Sequence, residues 1–388
     1  MTGDYSDVRG VCHNPRKGMS REETERRLDY AVRLNLNSVR FWMEQEEWEK
    51  DPAAYEEMIV EFVRSCGKKG ISVMPILWNG NFITAYEEAT EAEWEGKRRY
   101  AQRMIELLKD EPAMLMWDVY NEPLCNDYLR LASGEEYEAR KAKLVKDLRK
   151  HCELVRELDP DTPITVGHEQ AAHLDTTADL IDVISFHDYL PTRKRMEEAY
   201  LAAIAVAKAE GGKPVLNTET GCIGRANPYD AELELCSQYH CGFYLFNLMI
   251  EGFWGEIHGI VYPDGTVRDP GIVAALYGFM RKRTPGRIAA RGNREEHARM
   301  AVEAVEKALR MERKSLFVNQ AGSVEELLEA AEYCINILES CELVPMWNPL
   351  SAQLADYRRR DPEEIDGYEL QQFAYNLAKR LKEEFFLP

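Results

Sequence analysis

Short apolar runs alternate with amphipathic, charged stretches through the first three quarters of the chain. Val8 to His13 opens the series as a strand. Ser20 to Leu34 follows with helical spacing, and Ser20 with Glu23 forms a capping-box pattern at its start. Further strands are predicted at Asn37 to Met43, Ile71 to Trp78, Met114 to Tyr120, Pro163 to His168, Leu180 to His187, Pro214 to Glu219 and Gly242 to Met249. Between them lie helical stretches at Pro52 to Lys69, Glu91 to Lys109, Glu135 to Leu158, Arg193 to Glu210 and Ala231 to Tyr239, with Gly271 to Lys282 closing the series. Strands this apolar, bounded by Pro, Gly or polar residues, are those of a parallel sheet buried on both faces. The eight alternations predict an α/β fold, a (β/α)8 TIM barrel. A doubly wound sheet would usually show a Gly-rich phosphate turn after an early strand, and the sequence has none.

The pattern then changes. Thr284 to Asn293 reads as a linker. Beyond it, Ala301, Ala304, Val305, Ala308 and Leu309 repeat at helical spacing. So do Val324, Leu327, Leu328, Ala331, Ile335 and Leu338, and again Leu370, Phe373, Ala374, Leu377 and Leu381. Residues 1–285 are thus expected to form the catalytic barrel, and 286–388 an all-α appendage. The appendage carries no catalytic constellation, so its expected role is packing on the barrel or forming a homo-oligomer interface.

Composition narrows the function. The chain of 388 residues is 45% hydrophobic and 30% charged, enough to bury a real core. A formal net charge of −19 argues against nucleic acid and anionic membrane partners, which need basic patches. The nine Cys are scattered from Cys12 to Cys341 without a Cys-x-x-Cys pair, which argues against a disulfide framework and a structural zinc site. No secretory leader or membrane-length apolar run is visible. These features predict a cytoplasmic protein.

Chemistry collects at the C-terminal strand ends, where a barrel of this kind places its active site. Strand two offers Arg40, and strand three ends in Trp78-Asn79. Strand four, Met-Leu-Met-Trp-Asp-Val-Tyr, delivers Asn121-Glu122-Pro123. His168-Glu169, His187-Asp188-Tyr189 and Asn217-Thr218-Glu219-Thr220-Gly221 end the next three. Trp254 follows the eighth. Glu122 and Glu219 are thereby placed across one barrel mouth. Retaining glycoside cleavage needs such a pair: one carboxylate attacks the anomeric carbon, the other protonates the leaving oxygen and later activates water. Aromatic rings suit the apolar faces of sugars, and Arg or His beside a carboxylate keeps it ionised.

Residues 8 to 283 resemble the clan A glycoside hydrolases, and among them the family 5 cellulases and mannanases. The resemblance rests on Arg40, on Asn121-Glu122-Pro123, on His187-Asp188-Tyr189, and on Glu219 within Asn-Thr-Glu-Thr-Gly. It implies that Glu122 is the acid/base and Glu219 the nucleophile. It further implies that Asn121 holds the sugar 2-hydroxyl, that Arg40 and Tyr189 contact the nucleophile, and that His187 lines the subsite of the cleaved sugar. Two features depart from the family. Its usual Trp at the end of strand eight is replaced by Phe246-Asn247-Leu248-Met249, leaving Trp254 as the candidate substitute. Trp78-Asn79 stands where a His is often found after strand three.

The expected activity is therefore retaining hydrolysis of short oligosaccharides or small glycosides, gluco- or manno-configured, without a metal or other cofactor. The expected carboxyl separation is about 5–5.5 Å, with the charge of Glu219 raising the pKa of Glu122 for its acid role. Two other classes stay open. Glu122, His168, His187 and Glu219 are donors of the kind a metal-dependent sugar isomerase uses. A non-catalytic sugar-binding barrel is the other, although binding alone does not need both Glu122 and Glu219. Arg40 also reads as a rim ion pair, His187 as a core histidine, and Trp42, Trp78 and Trp254 as core aromatics.

Overall fold

The computed structural model describes residues 3–278, 294–314, 321–345 and 348–386. The chain divides into two compact units, Met1–Leu276 and Tyr277–Pro388. The expected boundary at 285/286 and the linker Thr284 to Asn293 lie outside the described residues, as does the end of the helix expected up to Lys282.

In the first unit eight parallel strands close a barrel in sequence order. They are β1 (Arg9–Cys12), β2 (Ser38–Trp42), β3 (Ser72–Asn79), β4 (Trp117–Asn121), β5 (Ile164–His168), β6 (Ile184–Asp188), β7 (Val215–Thr220) and β8 (Gly242–Leu245). The strands are buried on both sides, because helices cover the outer face. Those helices are α1 (Arg21–Arg33), α2 (Gln45–Lys50), α3 (Pro52–Lys68), α4 (Glu91–Leu108), α5 (Asp127–Arg130), α6 (Gly134–Leu158), α7 (Arg193–Ala209), α8 (Tyr229–Tyr239), α9 (Gly252–His258) and α10 (Pro270–Leu276).

Local chemistry fixes the helix starts. Ser20 Oγ accepts from the Glu23 amide at 3.2 Å, while the Glu23 carboxylate turns to Arg27, so the predicted capping box closes on one side only. The complete capping box is at Thr90 and Glu93, which start α4. Asp51 caps α3, whose first residue is Pro52.

The barrel interior is layered. Val8, Cys12, Met74, Met116, Val183, Leu216 and Tyr244 form an apolar cluster. Short hydroxyl chains close the gaps that small residues leave: Ser38 meets Tyr244 at 2.7 Å, and Thr165 donates to Ser185 at 2.9 Å. These four hydroxyls thus have partners, without which their burial would be unfavourable.

Regular alternation breaks where the chemistry begins. The register shifts between Asp118 and Asn121 on β4, between Phe186 and His187 on β6, and between Asn217 and Thr220 on β7. Bulges of this kind re-aim side chains. Asp118 and Asn121 both face Arg40 although three positions apart, which a strict period of two forbids. The strand expected from Met114 starts at Trp117; Met114 makes only an isolated bridge to Val73.

The second unit is helical: α11 (Arg294–Lys314), α12 (Ala321–Ser340), α13 (Pro349–Tyr357) and α14 (Gly367–Phe385). The helices α11, α12 and α14 pack on one another in all three pairings. The apolar stripes at Ala301, Val305 and Ala308, at Leu327, Ala331 and Leu338, and at Phe373, Leu377 and Leu381 form its core. The stretch at Pro349–Tyr357 carries no long apolar period and was not expected as a helix. Asn348 caps it by accepting from Leu350 and Ser351. No helix among the described residues is long and apolar enough to cross a membrane.

Candidate active site

Arg40 is the hub of the barrel mouth, and it is fully buried. Its Nε donates to Asp118 Oδ2 at 2.9 Å, its Nη1 to Glu219 Oε1 at 2.5 Å and its Nη2 to Asn121 Oδ1 at 2.7 Å. The guanidinium also lies 5.0 Å from the centre of the Trp42 ring. Burial alone would lower its pKa, but the charges of Asp118 and Glu219 raise it, so Arg40 is a permanent cation here. Gly167 leaves room for this arrangement. A Cβ there would stand 2.7 Å from Arg40 Nη2 and 2.9 Å from Asp118 Oδ2.

Glu219, near the end of β7, is bound on both oxygens. Arg40 takes Oε1, and the Tyr189 hydroxyl donates to Oε2 at 2.8 Å. Burial and the neighbouring Glu219 charge raise the Tyr189 pKa well above its usual value, so the phenol stays a donor. Both partners stabilise an ionised Glu219.

Glu122 follows β4 with φ at +45°, in the left-handed region. Such a residue costs about 1–3 kcal/mol, and strain of this kind collects at functional sites. The turn is shaped by Gly80, where a Cβ would lie 2.5 Å from the Glu122 carbonyl. His187 Nδ1 meets Glu122 Oε1 at 2.8 Å and lies 3.6 Å from Glu219 Oε2. Asn81 donates to Glu122 Oε2 and accepts from Asn121 Nδ2 at 2.9 Å. Glu122, His187 and Glu219 each present an atom within 4.8 Å of the others.

The charge balance corrects one expectation. Glu219 was expected to raise the pKa of Glu122. Burial does push that carboxyl up, but the hydrogen bond and charge of His187, the Asn81 amide and Arg40 outweigh it and hold Glu122 at about 2. In the unliganded site the acid/base candidate is therefore a carboxylate paired with His187.

Of the sequence candidates, the mouth brings together Glu122, Glu219, Arg40, Asn121, His187 and Tyr189. Both ends of the Asn121 amide are occupied, since Nδ2 also donates to Asn79 Oδ1 at 3.1 Å. A sugar hydroxyl at Asn121 must share or displace a bond from Asn79 or Asn81.

Two candidates lie elsewhere. Trp78 packs behind the sheet against Tyr100 and His151 of α4 and α6, its ring 4.5 Å from His151. It is a barrel–helix packing residue, because Tyr120 and Trp78 face outward where the bulged β4 turns Asn121 inward. Trp254 is half-exposed and touches Phe253 and His258, so it joins the mouth only through a second ring. The aromatic that ends β8 toward the mouth is Phe246, with its ring 5.6 Å from Trp42 and 4.8 Å from His258. His168 turns away and meets Thr177 at 2.9 Å.

Sequence reading missed Asn81, Asp118 and His258. Asp118 carried a signal, because an acid within Met-Leu-Met-Trp-Asp-Val-Tyr must have a partner to be buried. His258 lies between the last predicted strand and the last predicted helix of the barrel, where the pattern assigns no element. It ends α9, bonds the Gly221 carbonyl at 3.1 Å and lies 5.1 Å from the Tyr189 ring. Burial holds it at about 4, as a neutral imidazole.

A cleft of about 500 Å3 opens over α1 and α3, and none of Arg40, Asn121, Glu122, His187, Tyr189 and Glu219 lines it. Trp42, Tyr55, Met58, Ile59 and Phe62 give it apolar walls, and Arg16, Lys17, Glu44 and Glu47 lie among its polar lining. Its link to the carboxylate cluster is Trp42. A volume of this size lies in the range of small-molecule sites.

The sequence model of the cellulases (glycosyl hydrolase family 5) matches residues 7–249. No curated protein matches the chain by sequence. Among solved structures, the chain is similar to the endo-1,4-β-mannanase of Rhizomucor miehei, at 14% identity and a TM-score of 0.51, over 69% of this chain and 92% of that one. It is similar also to the endo-1,4-β-D-mannanase of Thermotoga petrophila, at 14% identity and a TM-score of 0.52, over 70% and 98%. A variant of GH5_18 from Streptomyces cattleya, in complex with Manβ1-4GlcNAc, aligns at 15% identity and a TM-score of 0.54, over 74% and 83%. At these identities the structural likeness speaks for the barrel fold.

Proposed function

The chain belongs to glycosyl hydrolase family 5, and on that premise we propose that it is a retaining β-glycosidase acting on short oligosaccharides or small glycosides. One observation carries this reading: carboxylate oxygens of Glu122 and Glu219 lie within 4.8 Å of each other, on opposite strands of one mouth. Retaining pairs stand about 5–5.5 Å apart, and inverting pairs leave about 6.5–9.5 Å for a water.

Glu219 is the nucleophile. Arg40 and Tyr189 each donate to one of its oxygens and aim it, which fixes the attacking carboxylate before substrate arrives. Glu122 is the acid/base. Its carboxylate shares a hydrogen bond with His187. A bound glycoside expels water, and the desolvation favours a protonated Glu122. Glu122 then donates its proton to the leaving oxygen as Glu219 forms the glycosyl ester. Esterification removes the Glu219 charge. Glu122 next takes a proton from the incoming water, and the ester is cleaved. Asn121 holds the 2-hydroxyl, and His187 and Phe246 line the subsite of the cleaved sugar.

Manno- or gluco-configured β-glycosides are the first substrates to try, because mannanases and a Manβ1-4GlcNAc complex are among the similar folds. Proton NMR of hydrolysis tests the stereochemistry. The β-anomer should appear first from a β-glycoside, and early α-anomer would sink the double displacement.

A metal-dependent reading has one observation in its favour, the convergence of Glu122, His187 and Glu219. Against it stands Arg40, whose fixed positive charge already occupies Glu219 Oε1. His168, the fourth expected ligand, bonds Thr177 instead.

A further inference from the structure

His187 and Tyr189 reach into the mouth from the end of β6. Asp188 between them turns to the opposite side and is buried. Its Oδ1 accepts from the Leu190 amide at 2.8 Å. Its Oδ2 is buried with no N–H or O–H partner among the described residues, and its carboxyl contacts that of Glu232 on α8. Glu232 is fully buried too.

Two acceptor groups in contact away from water need a proton between them. A carboxylic acid facing a carboxylate gives one strong O–H···O bond, whereas two carboxylates there repel.

The cluster around this pair is tied to the backbone that carries the chemistry. Asn227 donates to Glu232 Oε1 at 3.1 Å and to the Leu190 carbonyl at 2.8 Å. Its Oδ1 accepts from the Gly221 amide at 2.8 Å and from the Thr220 hydroxyl at 3.3 Å. Asn217, oriented so that both ends of its amide are satisfied, donates to the Glu219 carbonyl at 2.9 Å and the Phe186 carbonyl at 3.3 Å, and accepts from Tyr200 at 2.9 Å. The Tyr200 hydroxyl lies 3.1 Å from Glu232 Oε2 and 3.0 Å from Cys236 Sγ. Leu190, Thr220 and Gly221, which flank Tyr189 and Glu219, are thus tied to the Asp188–Glu232 pair through Asn227 and the Asp188 carboxyl.

We propose that Asp188 and Glu232 share one proton and, through it, hold Tyr189 and Glu219 in attacking position; they are positioning residues for the reaction proposed above. The pair acts from behind the sheet and touches no substrate.

The groups facing the pair are Arg195 and Tyr200 from α7, Cys236 from α8, and Asn217 and Asn227. Burial raises Asp188 to about 6, although Arg195 opposes the shift. Burial and then the Asp188 charge raise Glu232 well above the usual range. The sign follows from proton uptake. Between the ordinary and the raised value the folded chain keeps a proton that the unfolded chain has lost, so the clamp holds at neutral pH and weakens as pH rises.

The test compares wild type with Glu232→Gln and Glu232→Leu. Gln keeps a donor toward Asp188 but has no proton to lose. Infrared difference spectra at neutral pH should show a neutral-carboxyl band that disappears in Glu232→Gln. In that variant kcat at neutral pH should stay within about threefold, and the alkaline limb of the kcat profile should move up or vanish. Glu232→Leu should lower kcat at least tenfold with KM within twofold. An unchanged alkaline limb in Glu232→Gln, or wild-type kcat in Glu232→Leu, would overturn the proposal. So would a band that survives in Glu232→Gln. The band is read without substrate, so an inactive wild type that still shows it and loses it in Glu232→Gln overturns the glycosidase reading while upholding the shared proton.

Discussion

Inside the barrel unit, Arg40, Asp118, Glu219, Asp188 and Glu232 are all buried. Inside the helical unit the buried side chains are Ala, Val, Leu, Ile, Phe and Tyr with Cys334, and the buried polar ones among the described residues are His297, Asn336 and Asn348. Both units have a core, but among the described residues only the barrel's contains carboxylates and guanidinium groups. Burying an ion pair is often no better for stability than burying hydrocarbon of similar volume, whereas removing one partner is strongly unfavourable. The barrel therefore keeps its charges at some cost to folding, and each is held by a partner. That marks where selection has favoured chemistry over stability. The helical unit shows what this chain builds when packing alone decides.

Mutation can break this contrast, and the largest effect should come from Glu219. Glu219→Ala should lower kcat of the folded protein by roughly 10^4-fold or more, as losses of a nucleophile do. It should accumulate no covalent intermediate. Glu122→Ala should cost about 10^2–10^4-fold, the usual share of a general acid/base, and azide should restore turnover on substrates with good leaving groups. Near-normal rates in Glu219→Ala would show that the buried charges of the barrel are structural.

Gly167→Ala places a methyl among Arg40, Asp118 and His187. Overpacking of this order costs about 1–3 kcal/mol. The loss should appear in kcat as well as in the unfolding midpoint, because the hub that shifts is the one that aims Glu219. A stable variant with full activity would mean that the hub tolerates more movement than its contacts imply.

In the helical unit the matching experiment is Leu377→Ala. The side chain is buried in an apolar core, so a loss of about 2–5 kcal/mol is expected. Activity of the protein that remains folded should stay within twofold. A fall in kcat of the folded fraction would join the two cores functionally and end the contrast.

Acid titration sharpens it further. Glu122 is held at about 2, below its ordinary 4.5. It contributes stability above pH 4.5 that is lost as pH falls through about 2, on the order of 3 kcal/mol in all. Between pH 5 and 2, urea midpoints of wild type should fall more steeply than those of Glu122→Gln. Parallel curves would mean that His187 does not hold the carboxyl down. The smallest effect is expected from chelation: exhaustive EDTA treatment should leave activity unchanged, and recovery with a divalent ion after loss would favour the metal reading.

The barrel was legible because each apolar run is bounded by Pro, Gly or polar residues and alternates with an amphipathic helical stretch. Met114 to Pro123 shows it best: a near-continuous apolar stretch that delivers Asn121 and Glu122 to the C-terminal side. Arg40, His187, Tyr189 and Glu219 could be placed by the same rule. What sequence could not supply was register. A strict period of two cannot put both Asp118 and Asn121 on Arg40; a bulge does, and no residue in Asp-Val-Tyr-Asn announces one. Trp78, at a strand end where both a sugar platform and a core aromatic could stand, packs outward on Tyr100, Tyr120 and His151, a choice its residue type does not reveal. Asn81 escaped notice because its role depends on how closely the Gly80 turn approaches Glu122, a distance fixed by tertiary packing.

The bulges also bear on how such a site can change over generations. A one-residue deletion between Asp118 and Asn121 would restore ordinary pairing on β4 and leave the two residues two positions apart, both still on the face of Arg40. The extra residue is therefore used on the outer face, where Tyr120 stacks on Trp78, rather than on the mouth. Inert relatives of this chain should accordingly be recognised by a replaced glutamate rather than by a missing residue in that strand.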